Sequence, residues 1–453
     1  MKQRITFLLH SLEDIDTDNV LFSDEKVKIP SSLFSLRQDR ITLTKDELPQ
    51  EISELFSKLY MFRIQWSSET AKRTEVFQNF LQLGFAAHLI PSTLEYEPVF
   101  DEFGKFIAKN LDVKFTHENL ISTATSATYN SLDEVKSSTF QQFLSVLTPK
   151  LDRISFVQDF DIKWEQSELV ITWNSEPFDS TIERTNEIRK EVALFESKEL
   201  YGDLELVGFR TVIGEEYQPP EKTLLIVKPR HSLVKDTVLG VSFQQPVGLH
   251  PDLHIDFSPN VTSPFSSCEM FIVNTMPSVL FFDQYQYNED KLHLVSSWGE
   301  NDLEAPNWKV EKFGSVQLFK VKDYTNGVDI KFHTRYIKPS TENHFKIATP
   351  EVFWACEADL FMADWDMIER NPFDNYNLGF ESFFEPSTVF YHYNKNVSSL
   401  PLTIPSADAD DFSTVQIVTS VSVVIGSIYL LMKLFGSLVA LNRPETKDEK
   451  KIK

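Results

Sequence analysis

The chain has 453 residues, 67 of them acidic and 44 basic, for a net charge of −23. That length admits two or three domains. The acid excess repels polyanions and sets nucleic acid aside as a partner, and two cysteines, Cys268 and Cys356, are too few for a tetrahedral cysteine-rich zinc centre.

Phenylalanine is abundant, at 38 residues, and glycine sparse, at 13. Aromatic and β-branched richness favours strands, and the phenylalanines read as core filling. Arg4–Leu9 reads as a first strand. Its apolar run, Ile5–Leu9, is too short for the core of a secretory signal, and acidic residues follow at once. Pro49 to Tyr60 reads as a helix, with Leu48, Ile52, Leu55, Phe56 and Leu59 on one face and Pro49 in its first turn. Met61–Trp66 returns as a strand. Ser131 and Glu134 have the spacing of a capping box. Leu132, Val135, Phe140, Phe143 and Leu147 then keep a helical period until Pro149. Phe160–Trp164 and Leu169–Trp173, joined through Gln166 and Ser167, read as a hairpin. The polar stretch from Asn174 to Lys190 reads as a linker.

Beyond Val192 strand signals dominate, most clearly at Thr223–Val227, Met270–Val273, Val316–Val321 and Val328–Tyr336. The last two flank Asn326-Gly327, a strong hairpin signal. Alternation along the final strand puts Val328, Ile330, Phe332, Thr334 and Tyr336 on one face. Asp329, Lys331, His333 and Arg335 fall on the other, which makes His333 and Arg335 neighbours on a polar face. Short strands, regular prolines and no βαβ alternation point to an antiparallel sandwich.

From Phe412 to Met432 no side chain is charged at neutral pH, and roughly 20 apolar residues in a helix cross a bilayer core. Asp408, Asp410 and Asp411 precede this run. Lys433, Arg443, Lys447, Lys450, Lys451 and Lys453 follow it, which puts the C-terminal tail on the cytoplasmic side and the large domain across the membrane. Lys433 can snorkel to the headgroups. Ser422 and Gly426 form a small-xxx-small pair that would let another helix approach. Lys450 and Lys451, third and fourth from the end, form a dilysine pattern like the retrieval signal of endoplasmic reticulum membrane proteins.

The expected fold class is therefore mainly β with some α. An antiparallel, sandwich-like lumenal part precedes one transmembrane helix. The segments are 1–185, mixed α/β; 190–405, β-rich; 412–435, the helix; and 436–453, a short basic cytoplasmic tail. Two sequons, at Asn260 and Asn396, lean toward a lumenal, glycosylated domain. A tail-anchored protein with a cytosolic domain is the alternative. In an oxidising lumen Cys268 and Cys356 would make one disulfide closing a long loop; otherwise they are two buried thiols.

Chemistry-bearing motifs are scarce. There is no phosphate-cradling glycine motif, nucleophile elbow or HExxH sequence. The pairs Asp14/Asp16, Asp159/Asp161 and Asp364/Asp366 have the spacing of metal-dependent sugar transferases, but such pairs are expected by chance in so acidic a chain. His250 and His254 are four apart on proline-flanked extended chain, not on a helix. No catalytic, cofactor or metal residue is assigned.

Several stretches nevertheless form a pattern. Pro246-Val247-Gly248-Leu249-His250-Pro251 closes at Ile255-Asp256. Gly299-Glu300-Asn301-Asp302-Leu303-Glu304 follows, then His333-Thr334-Arg335-Tyr336 with Pro339. Pro350-Glu351-Val352 leads to Ala355-Cys356, and Asn371-Pro372-Phe373 to Leu378-Gly379-Phe380-Glu381-Ser382. In this order, before one C-terminal span and a basic tail, they resemble the PIG-X family and its fungal branch, the protease B non-derepressible proteins. Residues 1–185 resemble only the fungal members, and more loosely.

The resemblance implies a non-catalytic, single-span protein of the endoplasmic reticulum that uses no cofactor. Its partner would be the multispanning catalytic subunit of glycosylphosphatidylinositol (GPI) mannosyltransferase I, which adds the first mannose to the anchor precursor; it would touch membrane lipids through one span. The alternative is a general lumenal chaperone for secretory or vacuolar proteins, such as a protease precursor. A glycosyltransferase in its own right would be expected to need several spans. Gly248, His250, His333, Arg335, Tyr336 and Gly379 are the candidate docking residues; the alternative is architectural, an Arg–carboxylate pair and tight turns that hold the sandwich together. Arg335 is suited to two-point binding of a carboxylate.

Overall fold

The structure, a computed structural model, describes residues 1–15, 19–77, 81–93, 96–123, 126–148, 151, 154–200, 203–257, 261–339, 343–357 and 379–441. Met1–Tyr336 and His344–Ile404 form one compact unit. Ile337–Asn343 and Pro405–Lys453 form a second.

The first part of the large unit contains β1 (Lys2–Leu9), β2 (Leu21–Phe22), β3 (Lys26–Ile29), β4 (Phe34–Thr44), β5 (Leu59–Ser67), β6 (Gly84–Pro91), β7 (Ile121–Ser122) and β8 (Ala127–Ser131). It continues with β9 (Val157–Glu165), β10 (Glu168–Ser175), β11 (Ser180–Glu183), β12 (Arg189–Leu200), β13 (Asp203–Ile213) and β14 (Gln218–Val227). Eleven of these make one sheet in the order β14-β13-β12-β1-β4-β10-β9-β5-β6-β8-β7, and β11-β3-β2 make a small one. Strand alternation gives the large sheet two unlike faces. Phe62, Ile64, Trp66, Phe85 and Leu89 point to one side, buried with the helices α1 (Gln50–Ser57), α2 (Glu97–Leu111) and α3 (Ser137–Leu147).

That core is largely phenylalanine, as expected: the rings of Phe56 and Phe62 lie 4.7 Å apart, Phe62 and Phe103 4.8 Å, and Phe140 and Phe160 4.4 Å. Each fully buried ring contributes roughly 1.5–3 kcal/mol of transfer free energy. The helix face read at Leu48, Ile52, Leu55, Phe56 and Leu59 is the buried one. The hairpin at Gln166-Ser167 forms, with both residues at positive φ, as a tight two-residue turn requires.

The second part contains β15 (His231–Phe243), β16 (Asp252–Asp256), β17 (Cys268–Pro277), β18 (Leu280–Phe282), β19 (Leu292–Gly299), β20 (Gly314–Val321) and β21 (Val328–Thr334). It ends with β22 (His344–Ala348), β23 (Glu351–Glu357), β24 (Thr388–Lys395) and β25 (Ser399–Thr403). Nine strands run β18-β21-β16-β15-β24-β23-β17-β20-β19, and β22 pairs with β25. The long β15 bonds β24 through residues 231–239 and β16 through residues 240–243, so the ladder changes partner along one strand. Phe282 of β18 also meets Phe319 of β20 edge to face at 5.2 Å; the pairing in this part is antiparallel as expected except between β15 and β24, which run parallel. Cys268 and Cys356 lie opposite each other on β17 and β23, Cα atoms 4.0 Å apart, and are bridged.

Three expectations are corrected. The segment expected as a linker, Asn174 to Lys190, holds the end of β10, all of β11 and the start of β12; Asn174, Ser175, Ser180 and Lys190 are buried. Their polarity is consumed internally, for example by Asn174 Nδ2 donating to Asp159 at 2.7 Å and Lys190 Nζ to the Glu183 carbonyl at 2.9 Å. The capping box at Ser131 does not form, because Ser131 ends β8 and α3 begins only at Ser137. Asn326 and Gly327 do adopt positive φ, but β20 and β21 are not partners. β20 lies between β17 and β19, and β21 between β16 and β18. The turn instead delivers the chain to β16 and β18, where Val328, Ile330 and Phe332 are buried; side-chain burial overrides the local hairpin preference.

The helix α4 (Phe412–Leu441) is apolar all round, and Phe412–Leu438 is long and apolar enough to cross a membrane. A Cβ at Gly426 would meet nothing within 4 Å.

Candidate functional site

The end of β21 gathers the sequence stretches singled out above. Phe332 N–H donates to the Pro251 carbonyl and Thr334 N–H to the Leu249 carbonyl, each at 2.9 Å. These bonds dock the 246–251 turn, where Gly248 sits at φ +53 on the exposed side. The same docking brings His250 Nδ1 within 2.8 Å of His333 Nδ1, the rings perpendicular. One ring must donate and the other accept, so the contact requires at least one neutral imidazole. Burial and the neighbouring His250 hold His333 below the ordinary histidine range.

Arg335 is placed differently from the expectation. It lies past the end of the strand, only 2 % exposed. Its Nη1 donates to the carbonyls of Asp302, at 2.5 Å, and Ala305, at 2.7 Å. Its guanidinium lies 4.9 Å from the Phe281 ring, which also stacks on His333 at 5.1 Å. Both bonds come from one nitrogen and fall on this chain's own backbone, so the two-point fork is not engaged. They fix the 300–305 loop, which Asp302 also shapes by accepting from the N–H groups of Glu304 and Ala305. Burial lowers the Arg335 pKa, and Glu300 and Asp302 oppose that shift. Gly299 sits at φ +115, and a Cβ there would come within 2.4 Å of the Gly314 carbonyl, so this loop has to start with glycine.

Around this buried knot large apolar side chains are exposed: Tyr336 at 74 %, Trp308 at 50 %, Leu249 at 40 % and Leu303 at 39 %. Asn307 N–H donates to the Tyr336 carbonyl at 3.0 Å, which holds the Trp308 turn beside Tyr336. Five expected docking residues, Gly248, His250, His333, Arg335 and Tyr336, thus share one end of the sandwich.

Gly379 lies elsewhere, at φ +95 on the rim of a cleft between the two large sheets. Its neighbour Glu381 is buried near His231, whose Nδ1 is 2.8 Å from His392 Nε2. Burial lowers the pKa of both rings, that of His392 to about 3. Glu351, from another of the quoted stretches, accepts from Arg73 at 2.5 and 3.0 Å and from Lys395 at 2.5 Å. Burial pushes its carboxyl up, but the two cations more than reverse this and hold it well below the usual range. Sequence reading did not single out Arg73, His231, His392 or Lys395; the available signal was charge interrupting apolar alternation, as in the Phe390–Lys395 strand.

Asp159 and Asp161 are buried structural partners, Asp161 clamping Arg63 through two bonds of 2.7 and 2.9 Å. His254 bonds Asp329 at 2.7 Å and is not paired with His250. Among the described residues no three His, Cys, Asp or Glu side chains are grouped to hold a metal. Asn396 is exposed, its Oδ1 accepting from Val241 N–H. Asn260, Asp16, Asp364, Asp366, residues 371–378, Lys450 and Lys451 lie outside the described residues.

These features define a β-rich protein with, among the described residues, one apolar helix of membrane-spanning length, and with a motif-built, aromatic-rimmed end. The chain matches the model of the PIG-X / PBN1 family over residues 246–435. It is 26% identical to Protein PBN1 of Gibberella zeae across 99% of this chain and 100% of that protein. It is 25% identical to Protein pbn1 of Aspergillus oryzae across 100% of each. Protein PBN1 of Saccharomyces cerevisiae is 32% identical over 48% of this chain and 50% of its own length. The first two alignments take in the N-terminal half, which the family model leaves out.

Proposed function

We propose that the protein is a non-catalytic stabilising subunit of GPI mannosyltransferase I in the endoplasmic reticulum membrane. It supports transfer of the first mannose to the anchor precursor by holding the multispanning catalytic subunit. The observation that carries this reading is the convergence of three family stretches, 246–251, 299–304 and 333–336, on one end ringed by exposed Leu249, Leu303, Trp308 and Tyr336. Exposed aromatic anchors around a rigid, hydrogen-bonded base are what a lasting protein contact requires.

The large unit is assigned to the lumen and the tail to the cytoplasm. The Cys268–Cys356 bridge suits an oxidising compartment, the exposed Asn396 offers a glycan site, and the charge flanking the span has the matching sign. A glycosidase shift that depends on Asn396 or Asn260 tests the topology; with neither asparagine modified, the lumenal assignment fails. The partner is tested with Trp308→Asp and Tyr336→Asp together, both exposed and therefore compatible with folding. The catalytic subunit should co-purify at least tenfold less. Unchanged recovery would remove this end as the docking surface. An unchanged level of that subunit in cells lacking the chain, with misfolded proteins accumulating broadly, would favour the general chaperone instead.

A further inference from the structure

The cleft that Gly379 borders has a volume of about 460 Å³, within the range of small-ligand sites (roughly 300–1,000 Å³). Its two walls differ in chemistry. One is the outward face of the first large sheet, where Gln65, His88, Thr128 and Asn130 alternate with core residues of β5, β6 and β8. The other carries Trp298 and Phe383, stacked 5.6 Å apart with planes 18° from parallel. Phe383 is 46 % exposed and Trp298 half-buried.

The polar wall has hydrogen-bonding capacity to spare. Among the described residues the side chains of His88, Thr128 and Asn130 make no hydrogen bond within the protein. It also lacks net charge, because Asp161 clamps the Arg63 guanidinium from the same face. Burial and Arg63 keep the His88 pKa low, so its ring is neutral and offers one donor and one acceptor. A purely apolar ligand would strand these groups without partners. A charged ligand would find no counter-charge on this wall. A neutral ring with a polyhydroxyl edge and an apolar C–H face suits both walls at once: hydroxyls to amide, imidazole and hydroxyl groups, and C–H face to the aromatic pair.

We propose that this cleft binds a neutral hexopyranose, as the sugar of a glycan. A second cleft of about 380 Å³ shares Gln82, Asn130, Val273 and Thr275 with it, so the trough takes more than one ring. This proposal is independent of the docking end, since it concerns different strands and a different readout.

The test is saturation-transfer NMR on the full chain in a sugar-free detergent. Methyl α-mannopyranoside, methyl β-glucopyranoside and diacetylchitobiose are the probes, and a high-mannose glycopeptide shows whether the glycan is taken free or protein-borne. Sorbitol, with hydroxyls but no rigid apolar face, is the control. At least one cyclic probe should bind and sorbitol should not. Trp298→Ala and, separately, the more exposed Phe383→Ala should weaken binding at least tenfold, with the thermal midpoint of Phe383→Ala near that of the parent. No transfer to any cyclic probe, equal transfer to sorbitol, or affinity unchanged in both variants overturns the proposal.

Discussion

Replacing Glu351 by glutamine removes one charge and almost no volume, so it isolates the electrostatics of the seam between the two large sheets. Glu351 is 4 % exposed and is bonded by both Arg73 and Lys395, the latter's side chain 8 % exposed. An amide cannot compensate two cations held out of water. Leaving a buried charge without its partner costs about 3–5 kcal/mol. A unit of about 400 residues has an unfolding entropy near 0.8 kcal/mol per degree, so the midpoint should fall by about 4–6 °C. Differential scanning calorimetry on the purified chain reads this directly. Adding Arg73→Met to Glu351→Gln should recover part of the loss, because one of the two stranded cations is then gone. A midpoint within a degree of the parent would refute the reasoning, and so would a double variant no better than the single one. The sign with pH is also fixed. The folded carboxyl has a depressed pKa, so its contribution is complete above the ordinary value near 4.5 and fades as pH falls toward the folded pKa.

The buried pair His231 and His392 gives a separate acid response. Both are neutral when folded and protonate near 6.5 when unfolded, so stability should fall below pH 6.5 by up to about 1.4 kcal/mol per pH unit for each ring. Urea midpoints at pH 7.5, 6.5 and 5.5 check this, and a flat series would contradict it. Replacing both Cys268 and Cys356 by serine opens a loop with a sequence separation of 88. The loss should be roughly 4–5 kcal/mol on the chain-entropy account, read by chemical unfolding of the double variant. Arg335→Lys keeps the charge but shortens the side chain whose Nη1 reaches both Asp302 and Ala305, and it loses the guanidinium plane over Phe281. Proteolysis within 300–305 should accelerate severalfold, with the rest of the unit still resistant.

What was legible in the sequence was what strand and helix periods encode. The faces of α1 and β21, the Gln166-Ser167 hairpin and the apolar span all follow from side-chain spacing alone, and each is found. The bridge left open between Cys268 and Cys356 is decided by register, which places them opposite on β17 and β23. The failures share one cause. At Asn326-Gly327 the local turn is right but the strands it joins pair with other neighbours in the sheet. In 174–190 polar residues signal solvent only if no partner is buried with them, and here Asp159 and the Glu183 carbonyl are. Arg335 sits where alternation predicts an outward side chain, but β21 stops at Thr334 and the chain turns it inward.

The two halves of the large unit are joined by directional contacts, and this leads to a prediction about cutting between them. The connection between β5 and β6 supplies Glu69, Arg73 and Glu75. Glu69 accepts from Lys346 Nζ at 3.0 Å and Ser399 Oγ at 2.9 Å. Arg73 holds Glu351, and Glu75 accepts from Leu233 N–H at 2.9 Å. Phe313 N–H donates to the Asn119 carbonyl at 3.0 Å, and its ring meets Tyr129 at 6.0 Å. Residues 231–404 produced alone would keep the sandwich hydrogen bonds but leave Glu351 and Lys395 without Arg73 and uncover aromatic surface around Phe313. Exposed apolar patches of that kind drive association, so this fragment should be recovered as aggregate, and co-production with residues 1–229 should restore a soluble complex. A monomeric, cooperatively folding 231–404 fragment would mean that the first sheet is dispensable to the second, and that the seam contacts do not stabilise it.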